Sequence, residues 1–135
     1  MSKKTGPTKQ QADLVLARSG GLCERCCREG HQIHHRRPRG MGGTCRADTN
    51  YPSNLVHLCH SCHEWVESNR TQALADGWLI RQASPLPPSD VLVLLRFGSS
   101  YLTDQGGIAV EHPEDAAIRW AAADMSGRAR RDRAA

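Results

Sequence analysis

The stretch Cys59-His60-Ser61-Cys62-His63 decides the fold of this chain, because its Cys-x-x-Cys spacing repeats that of Cys23-Glu24-Arg25-Cys26. Each pair supplies two thiolates from one tight turn, and four thiolates form the closed tetrahedral shell that structural zinc prefers. The gap between the pairs, 32 residues long, exceeds that of compact zinc ribbons, so a further structural unit is inserted there. The spacing predicts a structural Zn²⁺ site, with disulfides or unligated thiols as the alternatives. The predicted ligands are Cys23, Cys26, Cys59 and Cys62.

The composition makes such a metal site important for folding. The 135 residues include six cysteines and seven histidines but one Phe, two Tyr and three Trp, so large side chains for a core are scarce. Apparent zinc binding of ~10 to 16 kcal/mol in small peptides matches the whole stability of a typical domain, roughly 5 to 15 kcal/mol. We therefore expect one domain, of modest core, whose folding depends on metal.

Charge is distributed unevenly along the chain. Residues 1–46 have a net charge of +7, residues 47–127 a net charge of −6, and residues 128–135 a net charge of +3. Fifteen of the eighteen cations are Arg, whose planar fork suits phosphate recognition. This pattern is consistent with a polyanionic partner such as nucleic acid, and solubility together with basic tails is the alternative.

Neither a membrane span nor an export signal is expected. The longest aliphatic run, Val91 to Leu95, is far shorter than the roughly 20 residues that cross a bilayer. The charged residues at the start precede Thr8, Lys9 and Gln10 rather than the apolar stretch of a secretory signal. We therefore expect a cytoplasmic protein, where cysteines are more often metal ligands or catalytic groups than disulfides.

Local signals predict the first elements. A helix is predicted over Lys9 to Ser19, capped by Thr8 and ended by Gly20-Gly21. Short strands are predicted near Gln32 to His35 and Leu55 to Leu58, separated by a loop rich in Arg, Gly and Pro. These strands lie between the two cysteine pairs.

The rest of the chain alternates short helices and strands. Helices are predicted near Ser61 to Asn69 and Thr71 to Asp76, followed by an apolar strand at Val91 to Phe97. Asp104 to Gly107 has the composition of a hairpin turn between two short strands. A further helix is predicted from Pro113 to about Asp124, because proline and acidic residues favour a helix start. The Arg-rich residues 128–135 are expected to be disordered.

A second cluster lies inside the insert. His34 and His35 end the first predicted strand, Asn54 precedes the second, and His63 follows the last cysteine. With the paired knuckles, this pattern closely resembles the zinc-knuckle form of the HNH endonuclease family. The resemblance covers about residues 21–69. It includes the segments His34-His35-Arg36-Arg37-Pro38-Arg39-Gly40-Met41-Gly42-Gly43 and Asn54-Leu55-Val56-His57-Leu58-Cys59-His60-Ser61-Cys62-His63.

The resemblance implies an α+β fold. Its centre is a small ββα-metal nuclease core of the His-Me finger type, with a structural zinc knuckle. On this basis we divide the chain into a basic N-terminal segment with a helix (1–22), an HNH nuclease domain (23–77), a C-terminal strand and helix appendage (78–127) and a tail (128–135). The appendage is expected to pack on the core or contact a partner, without catalytic residues.

The resemblance also implies roles for the histidines. His35 is expected to be the general base on water, while His34 and His63 bind a catalytic divalent ion such as Mg²⁺ or Mn²⁺. Adjacent residues of a strand point to opposite faces, so His34 and His35 can serve one site only if the strand bends or ends there. Glu67 lies one helical turn after His63 and is a candidate third ligand, or else a solvated carboxylate.

Two further roles concern the loop beside these histidines. Asn54 is expected to clip the loop that carries the base, and an ordinary turn asparagine is the alternative. Arg36, Arg37 and Arg39 are expected to contact DNA phosphates, and a solvated loop is the alternative. Cys27 and Cys45 are expected to be spectator thiols, with a disulfide between them as the lesser option. We assign no role to His31, His57, His60 and His112, and expect core packing for Trp65, Trp78 and Trp120.

Taken together, these residues predict a metal-dependent hydrolase that cuts or nicks DNA. The resemblance is closest to small stand-alone HNH proteins of bacteria and their phages, some of which assist DNA packaging beside a terminase. A phage origin would place the protein in the bacterial host cell. The alternative is a non-catalytic zinc-knuckle module that binds nucleic acid or a packaging partner. A thiol redox protein is a weaker third reading, because two matched pairs favour metal.

Overall fold

The computed structural model of the chain describes residues 6–39 and 46–111, together with residues 114–115, 117–118 and 121–122. Within these residues the chain forms three α-helices with both ends defined and two small antiparallel sheets, which confirms the expected α+β class. The elements are α1 (Lys9–Ser19), β1 (Gln32–His35), β2 (Leu55–Leu58), α2 (His60–Ser68), α3 (Arg70–Asp76), β3 (Val93–Leu95), β4 (Gly98–Leu102) and β5 (Ile108–Val110). Short 3₁₀ turns occupy Ala47–Asn50, Pro52–Asn54 and Pro88–Asp90.

The caps of α1 are those that the sequence predicts. Thr8 Oγ1 accepts a hydrogen bond from the Gln11 amide at 3.1 Å, and the Thr8 amide donates to Gln11 Oε1 at 2.8 Å. This capping box satisfies donors that the helix itself leaves unpaired. Gly20 ends the helix with φ +65°, a left-handed conformation that glycine adopts without steric cost.

The first sheet pairs the two predicted strands. β1 and β2 run antiparallel, with Gln32 opposite Leu58 and His35 opposite Leu55. α2 begins directly after β2, where Cys59 Sγ accepts a hydrogen bond from the Cys62 amide at 3.4 Å. The hairpin and α2 together position the second cysteine pair and His63.

The second sheet has the order β3-β4-β5. Its first strand is shorter than predicted, because the Val91 amide closes a turn on Pro88 O at 3.2 Å and the Arg96 amide bonds Glu24 O at 2.9 Å. Both ends of the predicted strand thus take other backbone partners. The hairpin turn before β5 is confirmed by the bond from the Thr103 amide to Gly107 O at 3.0 Å.

One hydrophobic core joins both sheets and α2. Its buried members include Cys23, Val56, Leu58, Val66, Trp78, Val93, Leu95 and Leu102. Trp78 is fully buried, as predicted, and Trp65 packs against the core from a half-buried position. The segment after α3 therefore contributes to the same core as the cysteine knuckles.

Several predictions concern residues outside the described ranges. Half of the helix predicted at 113–124 lies outside them, and its described residues, 114–115, 117–118 and 121–122, are helical. The tail at 128–135, Cys45, His112 and Trp120 lie wholly outside. Over the part of the chain that is described, no helix has the length and apolar character needed to span a bilayer.

Cys27 has an unfavourable backbone conformation. It is the one residue other than glycine with positive φ, +68°, among the described residues. A side chain in this left-handed region costs roughly 1–2 kcal/mol, whereas glycine adopts it freely. We therefore expect Cys27→Gly to raise the free energy of unfolding by about 1 kcal/mol, measured by urea denaturation of the zinc-loaded protein. Cys27→Ser is the control, and equal stabilisation by both changes would assign the effect to the thiol rather than the backbone.

Candidate metal centres and active site

Four cysteine sulfurs meet where the turn after α1 contacts the start of α2. The Sγ atoms of Cys23, Cys26, Cys59 and Cys62 all lie within 4.8 Å of one another. Cys26 Sγ and Cys59 Sγ are 3.6 Å apart, close to the roughly 3.8 Å between sulfurs in a tetrahedron with Zn–S bonds of about 2.3 Å. The predicted ligands are therefore close together, and their donor set is compatible with structural zinc.

Arg25 supports this cluster from the first knuckle. Its Nη1 donates to Cys62 Sγ at 3.4 Å, and its guanidinium lies 3.8 Å from the centre of the Trp65 ring. Zinc bound by four thiolates leaves a net charge of −2, so a cation at this position is favourable. Burial raises the pKa of Cys62 to about 12, and metal binding would therefore release a proton from this thiol near neutral pH.

A second group of potential ligands joins β1 to α2. One ligand atom from each of His34, His63 and Glu67 lies within 4.8 Å of the others. His34 comes from the buried side of β1, while His63 and Glu67 lie one turn apart on the same face of α2. Two imidazoles and one carboxylate suit divalent transition ions and leave coordination positions for water and substrate.

The surroundings of His34 keep its imidazole neutral. Burial and the neighbouring His63 lower the pKa of His34 to about 4. Its Nε2 lies 3.3 Å from Trp78 O, which favours the tautomer with the proton on Nε2. The lone pair of Nδ1 is then available at neutral pH, as a metal ligand requires.

His35 is half-buried at the end of β1, beside this group. Its Nε2 is 2.8 Å from Asn50 Oδ1, an acceptor that favours a proton on Nε2 and leaves Nδ1 to take another. Burial lowers the pKa of His35, so the imidazole is neutral near pH 7. Sequence analysis does not single out Asn50, because nothing in its local spacing connects it to a histidine fifteen residues earlier.

Asn54 is buried and links the backbone after His35 to the next turn. Its Oδ1 accepts from the Arg37 amide at 2.8 Å, and its Nδ2 donates to Thr49 O at 2.8 Å. The Asn54 carbonyl also accepts from the Arg36 amide at 2.8 Å. These contacts are those of a residue that clips the loop following the candidate base.

The structure corrects the role predicted for Arg36. Its side chain is 0% exposed. The guanidinium donates to five backbone carbonyls, those of Ser53, Gly77, Pro88, Val91 and Leu92. Burial lowers the pKa of Arg36 to about 9, so it remains a cation at neutral pH. The prediction of a phosphate contact is wrong for Arg36, because its donors all face the protein interior.

The structure also corrects the role predicted for Arg37. Its side chain is 3% exposed and donates to the carbonyls of Ser84 and Leu86. A side chain buried in this way cannot lie along a DNA backbone, so its predicted phosphate contact is also wrong. Arg39 is half-buried, and its positive charge helps burial to lower the pKa of His35. A phosphate contact by Arg39 stays a prediction.

Comparison with known proteins identified no relative of this chain. No family model, no curated protein and no solved structure matches this chain. Interpretation therefore depends on the two converging groups, four thiols in one and two imidazoles with a carboxylate in the other. Across the described residues, these are the two places where three or more potential ligands come together.

Proposed function

We propose that this protein is a metal-dependent endonuclease of the HNH type, with a ββα-metal core, that hydrolyses phosphodiester bonds in DNA. The observation that carries the proposal is the convergence of His34, His63 and Glu67 within 4.8 Å, next to His35 at the end of β1. One strand, β1, and one helix, α2, supply all four side chains. Such a set combines a proton acceptor with a site for a divalent ion, which phosphodiester hydrolysis requires.

Each side chain has a distinct task in this proposal. His34, His63 and Glu67 would hold the divalent ion, which when bound neutralises charge on the phosphate and the leaving oxygen. His35 takes a proton from the attacking water onto Nδ1. Asn50 accepts the hydrogen on Nε2 and so orients the ring and stabilises its protonated form.

The end of β1 supports the assignment of two adjacent histidines to one site. Residues next to each other on a strand point to opposite faces, but β1 ends at His35. The chain after His35 is held instead by Asn54, through bonds to the backbone of Arg36 and Arg37. In the proposal, this bend after β1 turns the His35 ring towards the site that His34 lines.

The four-cysteine cluster has a structural task in the same proposal. It would fix the start of α2 against the first knuckle. Its last cysteine, Cys62, directly precedes His63 on the helix. Zinc there would hold His63 opposite β1 without contacting substrate. The chemistry and the folding are thus assigned to separate metals.

Cleavage by the His35→Ala protein tests the proposal. We expect wild-type protein to nick supercoiled plasmid in the presence of Mg²⁺ or Mn²⁺, and His35→Ala to be slower by ~10² to 10⁴ fold, because the water loses its base. Nicking rates on agarose gels provide the measurement. His31→Ala is the matched control, since it removes an exposed imidazole from outside the site.

Two results would contradict this assignment. Equal activity of wild type and His35→Ala would mean that another nuclease produces the nicks. Wild-type protein that binds DNA but does not cleave it, whichever divalent ion is supplied, would favour the alternative, a non-catalytic zinc module acting beside a packaging protein such as a phage terminase.

A further inference from the structure

A small cavity lies beside the proposed catalytic base. It has a volume of about 240 Å³ and is lined by Arg46, Ala47, Asp48 and Tyr51. The 3₁₀ turn Ala47–Asn50 forms much of this wall, and its last residue is the partner of His35 at 2.8 Å. The turn that lines the cavity therefore also carries the hydrogen-bond partner of the base.

Charged groups of both signs lie at the cavity. Asp48 Oδ2 lies 3.6 Å from Arg37 Nη1, and Asp48 Oδ1 lies 3.3 Å from Arg46 Nε. Two guanidinium groups thus lie beside the same carboxylate. Burial and the nearby charge of Arg46 lower the pKa of Arg37, while Asp48 acts in the opposite direction.

Arg37 donates to carbonyls through Nη2, but its other two side-chain nitrogens have no hydrogen-bond acceptor among the described residues. Its Nε and Nη1 are buried, and neither has a hydrogen-bond partner among the protein atoms of the described chain. A buried donor without an acceptor costs roughly 1–3 kcal/mol, and more when it is charged. Two buried donors of a charged group therefore have no acceptor in the described chain, and an anion in the nearby cavity would offset this charge electrostatically.

The cavity is accessible to a ligand at Arg46 and Tyr51, whose side chains are exposed to solvent. The side chain of Arg46 is 39% exposed, and Tyr51 is 36% exposed. A guanidinium presents its donors in a planar fork that matches the oxygens of a phosphate. The tyrosine ring supplies an apolar wall of the kind that packs against a sugar.

We propose that this cavity binds a backbone phosphate of DNA that flanks the phosphate to be cleaved. Arg46 donates to the phosphate oxygens and Tyr51 packs on the adjacent sugar, while the buried charge of Arg37 beside Asp48 adds to the positive potential without contacting the phosphate. The choice of DNA as the anion rests on the proposed nuclease function, because it follows from the position of the cavity beside His35. Arg46 thereby makes a phosphate contact of the kind that was expected of Arg36 and Arg37.

The salt dependence of DNA binding tests whether the cavity is such a phosphate subsite. All variants are made in the His35→Ala protein, so that a fluorescent duplex stays intact, and the affinity is measured by anisotropy between 50 and 200 mM KCl. Loss of one phosphate contact lowers the slope of log K against log salt by about 0.9. We expect that change for Arg46→Ala. Lys9→Ala, which removes an exposed cation of α1, should leave the slope unchanged.

A second variant gives a result of opposite sign. Asp48→Asn removes the carboxylate that offsets Arg37 and Arg46, so the affinity should rise at 50 mM KCl while circular dichroism shows a folded protein. A structural role alone predicts weaker binding for both variants. The proposal is therefore overturned if folded Asp48→Asn binds less tightly, or if Arg46→Ala keeps the parental slope.

The binding results and the cleavage results are separable. A reduced slope for Arg46→Ala in a protein whose wild type never cleaves DNA would support the phosphate subsite and contradict the nuclease. Cleavage by wild type with an unchanged slope for Arg46→Ala would support the nuclease and contradict the subsite.

Discussion

Removal of zinc is expected to unfold this protein. Three of the four thiols, those of Cys23, Cys59 and Cys62, are buried in the main hydrophobic core, so the metal site and the core form together. Zinc binding of ~10 to 16 kcal/mol equals or exceeds a typical domain stability of roughly 5 to 15 kcal/mol. The metal-free chain should therefore lose its cooperative thermal transition, measured by circular dichroism. Cys59→Ser should have the same effect.

The matched control is Cys27→Ser, which removes an exposed thiol of the same knuckle. We expect this variant to stay folded with one tightly bound zinc per chain, measured by elemental analysis. Adding Zn²⁺ to the metal-free protein should restore the transition, whereas Mg²⁺ should not, because a hard cation disfavours thiolate ligands. A metal-free wild type that still melts cooperatively would show that the core alone sustains the fold.

Arg36→Met is expected to have the second-largest effect on stability. The change leaves the five backbone carbonyls around the guanidinium without these donors. Pro88 O keeps the Val91 amide as a partner. Each buried polar group left without a partner costs roughly 1–3 kcal/mol, so the sum over the other four approaches the stability of the whole domain. The unfolding transition in urea should move to much lower concentration or disappear.

Two comparisons separate lost hydrogen bonds from lost charge. Arg36→Lys keeps the charge but has three donors on one nitrogen. We therefore expect its free energy of unfolding to lie between those of wild type and Arg36→Met. Arg81→Met makes the same chemical change at an exposed position and should alter stability by no more than about 0.5 kcal/mol. Wild-type stability for Arg36→Met would mean that water replaces the guanidinium.

The close fit around Arg36 also explains the residue at the end of α3. Gly77 has φ +83°, and a Cβ placed there would lie 1.8 Å from Leu92 O. Leu92 is one of the carbonyls that Arg36 binds. The backbone segments around this guanidinium therefore approach one another more closely than any side chain at position 77 would permit.

Much of the local structure follows from the sequence alone. The boundaries of α1 follow from Thr8 and Gly20, because helix caps act within a few residues. The strands β1 and β2 occur at their predicted positions. The convergence of four thiols was also predictable, since two Cys-x-x-Cys turns offer few stable arrangements other than a shared metal.

The solvent exposure of the arginines was not predictable in this way. Arg36 and Arg37 lie in a segment rich in Arg, Gly and Pro that has the composition of a solvated, phosphate-binding loop. Their acceptors come from residues 17 to 56 positions further along the chain. No local pattern contains this information, because composition is the same whether an arginine meets solvent or buried carbonyls.

By itself, the sequence determined which groups are present and which short elements carry them: two cysteine knuckles, a pair of histidines at a strand end and a capped first helix. Tertiary structure alone decided how these groups are used. It buried Arg36 and Arg37 among backbone carbonyls and brought Asn50 to His35. The physical reason is range, because caps and turns depend on neighbours a few residues away, whereas burial and side-chain partners depend on segments that meet only in the folded chain.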